Sequence, residues 1–126
     1  NQTGTHERLL KEMGDALLAL THDLKAQGNL DRVMVMTFSE FGRRVAENAS
    51  GGTDHGAAAP LFIVGGRVHP GFAGVRPSLK PGDLDDGDIK HTTDFRSVYA
   101  TVLEKHLIAP SKPILGKAYP ILPLVS

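Results

Sequence analysis

The chain contains no cysteine and no tryptophan. Without thiols it has no disulfide framework, no thiolate zinc site and no cysteine nucleophile, so any metal must be held by imidazoles and carboxylates. It also lacks an excess of charge of either sign, because 14 Lys and Arg balance 14 Asp and Glu. That balance gives no general attraction to nucleic acid or to an anionic membrane, and no nucleic-acid partner is expected. No apolar run approaches the ~18–20 residues that cross a bilayer, and no charged-then-apolar leader opens the chain, so no membrane span is expected. Its 126 residues, 40% of them hydrophobic, can bury a core and set the scale at a single domain or one piece of a larger one.

Asn1 to Thr5 read as a chain entered midway, since no initiator Met precedes a helix that begins almost at once. Thr5 is the expected N-cap. Leu9, Leu10, Met13, Leu17, Leu20 and Leu24 then recur at three- and four-residue steps, the pattern of an amphipathic helix packed on a neighbour, and Gly28 supplies its stop. Residues 33 to 38 form an apolar run of strand length, and Leu61 to Val64, after Pro60, form a second. Continuous apolar strands suit a sheet covered on both faces, so helix, turn, buried strand predicts an α/β fold with a mainly parallel sheet.

Residues 67 to 91 are rich in glycine and proline and read as a surface excursion. Their acidic cluster, Asp83, Asp85, Asp86 and Asp88, lacks the twelve-residue calcium-loop pattern with its closing Glu and reads as a solvated turn. Thr92 or Thr93 is the expected cap of a second helix, in which Phe95, Val98, Tyr99, Val102, Leu103 and Leu107 share a face and which Pro110 ends. The proline-rich tail carries Ile114, Leu115, Ile121, Leu122 and Leu124, apolar enough to lie along the core.

In open α/β sheets, ligands sit beyond the carboxyl ends of the strands, which directs attention to the polar loop from Ser39 to Ala59. Ser-Glu-Phe-Gly-Arg-Arg, residues 39 to 44, puts the carboxylate of Glu40 at the strand end and two guanidiniums just after it. Gly-Gly-Thr-Asp-His-Gly, residues 51 to 56, places Asp54 and His55 side by side between glycines that let the backbone bend. A neutral imidazole with carboxylates is an oxygen-and-nitrogen ligand set for a divalent ion. Glu40 has two readings, metal ligand or partner of Arg43 or Arg44. Arg43 offers a planar fork suited to a phosphate or sulfate ester. Ser39 as a nucleophile lacks an evident third group to orient a Ser-His pair. His6 and His22 read as polar-face residues of the first helix, His69 and His106 need no functional explanation, and His91, just before the last helix, could reach the same end of the sheet but reads as a solvent-exposed helix-entry residue.

The order of these pieces resembles the C-terminal half of the alkaline phosphatase and sulfatase superfamily. More specifically, Ser39 to Arg43, Gly52 to Gly56 and Thr93 to Ala100 are similar to Ser-Glu-Phe-Gly-Arg, Gly-Thr-Asp-His-Gly and Thr-Asp-Phe-Arg-x-Val-Tyr-Ala of an exported, sulfatase-like bacterial family of unassigned function, known as domain of unknown function 1501. The resemblance spans nearly the whole chain. It implies the C-terminal portion of an alkaline-phosphatase-like sandwich, a mainly parallel sheet flanked by helices, in a protein exported to the periplasm. It also implies hydrolysis of a phosphate or sulfate ester, the substrate being a small molecule or glycan ester, with a divalent ion such as Zn²⁺, Mn²⁺ or Ca²⁺. His55 is then the first metal-ligand candidate, Asp54 a second ligand or the carboxylate that orients its ring, and Glu40 a third. Arg43 is the substrate-binding candidate. One departure stands out: where the superfamily has Asp-His after the strand, this chain has Glu40-Phe41, and Phe41 cannot ligate. The nucleophile is expected upstream, in the N-terminal half of the same protein, so the segment alone is expected to be inactive. The competing expectation is a non-catalytic periplasmic binding or scaffold module that keeps the fold.

Overall fold

The first long element, α1, runs through Gln2–Ala26 in a computed structural model that describes residues 2–126. Its end follows from Gly28, which adopts φ +70°. The Gly28 N–H donates to the Lys25 carbonyl and the Asn29 N–H to the Leu24 carbonyl, two bonds that close the last turn and that a left-handed residue permits. The start lies further back than Thr5, which is inside the helix. The backbone N–H of Gln2 donates to the carbonyl of Gly51 at 3.3 Å, tying the first turn to a distant loop. The apolar stripe of α1, expected to be packed, is largely open: Leu9, Leu10, Met13 and Leu20 are 49%, 46%, 36% and 40% exposed. The sheets of this chain are too small to cover a stripe that long.

Among the described residues there are two sheets of two strands each, both antiparallel. Strand β1 (Met34–Met36) pairs with β4 (Ile63–Gly65), Met34 opposite Gly65 and Met36 opposite Ile63. Between them, β2 (Gly42–Glu47) and β3 (Thr53–Gly56) make a separate hairpin. The expected parallel sheet is therefore corrected to a mixed helix-and-strand fold with small antiparallel sheets. Parallel neighbours require a crossover connection, commonly a helix, and the chain between β1 and β4 folds back as a hairpin instead. β1 and β4 are half-buried rather than covered on both faces.

The core gathers against β1 and β4. Val98, Leu124 and Val125 are its buried residues, with Met34, Met36, Leu61, Ile63 and Leu122 packed against them. The tail thus lies along the core, as its composition predicts, although Ile114 and Ile121 stay exposed. Helix α2 (Phe95–Thr101) runs into one π-helical turn, Val102–His106, where the Leu107 N–H reaches back to the Val102 carbonyl. A short α3 (Ser111–Leu115) follows Pro110 and stops at Gly116, φ +80°. Thr101, fully buried, joins α2 to the tail: its hydroxyl donates to the Ser97 carbonyl at 2.7 Å and accepts the Leu122 N–H at 2.8 Å.

The cap of α2 is Asp94, not Thr92 or Thr93. Its carboxylate accepts the Arg96 N–H at 2.9 Å and the Arg96 guanidinium at 2.7 Å, whereas Thr92 donates its hydroxyl to the Val75 carbonyl. The Arg96 side chain in turn covers the rings of Phe95 and Tyr119. The Thr-Asp-Phe-Arg segment is thus a helix-starting device. Among the described residues no helix is long and apolar enough to cross a membrane.

Candidate functional site

Hairpin β2–β3 brings the two chemistry-bearing motifs together. Gly42 stands opposite Gly56 and Arg43 opposite His55, so the Ser-Glu-Phe-Gly-Arg and Thr-Asp-His-Gly segments pair backbone to backbone. The paired glycines are a spatial requirement. A Cβ on Gly42 would fall on the backbone of Ala58, and one on Gly56 would meet the Arg43 backbone and the Asp88 carboxylate, each at 2.7 Å. The turn between the strands is built by Asn48. Its side-chain oxygen accepts the N–H groups of Ser50 and Gly52 at 3.0 and 3.1 Å, and Gly51 supplies φ +69°.

Directly opposed residues of an antiparallel pair project to the same side, with Cβ atoms about 5 Å apart. Arg43 and His55 therefore share one face, and Phe41 joins them there. The rings of Phe41 and His55 are stacked, centroids 3.5 Å apart and planes at 14°. The Arg43 guanidinium carbon lies 5.4 Å from the Phe41 ring centre, and its Nη1 donates to the Thr53 carbonyl at 2.7 Å. Arg43 and His55 are exposed, Phe41 half-buried. Among the described residues the His55 ring nitrogens and the Nε and Nη2 of Arg43 have no hydrogen-bond partner within the chain. The face can thus offer several N–H donors to one anionic group.

Asp54 does not join them. Successive strand residues point to opposite faces, and the Asp54 carboxylate accepts the Asn48 amide at 2.9 Å. Arg44 is likewise turned away, 3.6 Å from the Asp88 carboxylate. Glu40, exposed, pairs with neither arginine, which corrects the ion-pair reading of that residue. Ser39 donates its hydroxyl to the Phe41 carbonyl at 2.7 Å, a local turn bond that serves the backbone. His6 lines an open cleft of about 770 Å³ between the start of α1 and the hairpin, His69 contacts the Pro123 carbonyl, and His91 is exposed.

Among the described residues no group of three or more His, Asp or Glu side chains is arranged to hold a metal ion. Glu40, Asp54 and His55 do not by themselves form such a group. Sequence reasoning missed three contributors. Phe41 reads in the sequence only as a lost ligand, Asn48 carries the available turn signal, an Asn shortly before Gly51 and Gly52, and Asp88 reads as part of a solvated turn. One oxygen of Asp88 is in fact buried beside Gly56 without a partner.

Fold and site together define a mixed helix-and-strand segment with a basic, aromatic-backed hairpin face. The chain belongs to the family described as Protein of unknown function (DUF1501), whose model matches residues 1–117. No curated protein and no solved structure matches it significantly.

Proposed function

We propose that this chain is the C-terminal part of an exported, periplasmic hydrolase of phosphate or sulfate esters, related to the alkaline phosphatase and sulfatase superfamily, with its nucleophile in the N-terminal half. The observation that carries the reading is the pairing of Arg43 with His55 on one exposed face. Arg43, anchored through Nη1, turns its remaining N–H groups toward an ester oxyanion, and the His55 imidazole supplies a second contact. Charge-assisted donors of this kind bind and orient the ester and neutralise charge as the bond to the leaving alcohol breaks. The resemblance carries a divalent ion, Zn²⁺, Mn²⁺ or Ca²⁺, with it. Because Glu40, Asp54 and His55 do not form a group that fits one, no step here runs through a metal.

The test is turnover of an aryl phosphate and an aryl sulfate by the full-length protein. Arg43→Ala should lower kcat/KM by about tenfold to a hundredfold, the counterpart of the ~1.5–3 kcal/mol of a hydrogen bond to a charged group. A second reading, a non-catalytic binding or scaffold module, is favoured by the dispersal of the three carboxylate and imidazole candidates. Well-folded full-length protein silent on both esters, with and without added Zn²⁺, Mn²⁺ and Ca²⁺, would select it.

A further inference from the structure

An exposed imidazole and an exposed guanidinium each have several rotamers open to them, and a two-point contact with an anion loses affinity for every rotamer that must be frozen. On this hairpin both groups lean on the same ring. His55 stacks on Phe41 at 3.5 Å and Arg43 lies over that ring at 5.4 Å. Phe41 is itself fixed from both sides in the chain: the Ser39 hydroxyl bonds its carbonyl, and the next residue, Gly42, is buried against the backbone of Ala58. A face-to-face stack covers one face of the imidazole and leaves both nitrogens free at its rim. The Arg43 fork is held from its other end by the Thr53 carbonyl.

We infer that Phe41 is a positioning residue, a platform that fixes the His55 ring and the Arg43 guanidinium relative to each other so that their free N–H groups converge on one oxyanion. For what the two groups bind, the inference rests on the proposed function; for the platform itself it does not.

The experiment uses full-length protein and reads the two parts separately. His55 ring-proton resonances, assigned by their disappearance in His55→Gln, report the stack through the ring current of Phe41. Inorganic phosphate and inorganic sulfate are the binding probes. In wild type the His55 protons should lie upfield of those of an unstacked histidine. Phe41→Leu should remove that displacement and weaken phosphate or sulfate binding by about two- to tenfold, the scale of one aromatic pair. Phe41→Tyr, which keeps the ring, should restore both. Unshifted His55 protons in wild type overturn the inference whatever the variants do. So does unchanged anion affinity in a folded Phe41→Leu protein, or failure of Phe41→Tyr to restore it. Displaced His55 protons that revert in Phe41→Leu, with no anion binding by any version, uphold the platform and overturn the ester reading instead.

Discussion

The rings of Phe41 and His55 lie face to face, 3.5 Å apart, although fourteen positions separate them in the chain and only the β2–β3 hairpin brings them together. The contact depends on a register in which glycine faces glycine one step further along each strand. That dependence makes the backbone of the hairpin as important to the face as the side chains on it.

Gly42→Ala should therefore be damaging and Gly14→Ala should not. A methyl at residue 42 collides with the Ala58 backbone, which has no rotamer by which to yield, so a loss of about 1–3 kcal/mol is expected. Gly14 lies in the middle of α1 with nothing near its would-be Cβ, and alanine there should add about 0.5–1 kcal/mol of helix stability. Thermal melts of the two variants check this. Equal melting temperatures would contradict the close approach of Ala58 to the hairpin.

Thr101→Val tests the link between α2 and the tail. Valine keeps the shape but leaves the Leu122 N–H without its acceptor, a cost of about 1–3 kcal/mol. Hydrogen exchange at Leu122 should rise in step with the loss of stability by denaturant titration. Fast exchange at Leu122 in wild type would deny the bond.

Asp94 carries a pH signature. Hydrogen bonds from the Arg96 side chain, and then from its backbone N–H, lower its carboxyl from an ordinary 3.8 to about 2. A carboxyl whose folded value is depressed stabilises the fold fully above the unfolded value, and that contribution disappears as pH falls from about 3.8 through about 2. Asp94→Asn retains an acceptor for the helix cap without the charge. Melting temperature should fall less steeply for Asp94→Asn than for wild type across that window, and parallel curves would refute the coupling to Arg96.

Metal content tests whether His55 belongs to a ligand set. If the N-terminal half completes a centre that includes His55, full-length protein should take up a divalent transition metal. His55→Ala should then lose more than the tenfold to hundredfold in affinity, about 1.4–2.7 kcal/mol, typical of changes one shell further out. Elemental analysis showing equal stoichiometry in both proteins would remove His55 from any ligand set.

What the sequence by itself determined is what neighbours along the chain decide. Gly28 ends α1 because the bonds that close the turn join residues three to five apart, and the apolar tail has to seek the core because water rejects it. The absence of thiols likewise followed from composition, as did, among the described residues, the absence of a helix long and apolar enough to cross a membrane. The two loop motifs were legible as the place where chemistry-bearing residues concentrate. Their arrangement was not. Asp54 and His55 are adjacent in sequence, yet the strand turns them to opposite faces, and Asn48 claims the carboxylate while Phe41 claims the ring. Whether β1 and β4 run parallel or antiparallel depends on the path of the chain between them, and the cap of α2 passed from two threonines to Asp94 because Arg96 reinforces that carboxylate. Each of these outcomes is a competition between partners, several of them distant in sequence, and only the tertiary structure decides which partner is close enough to win.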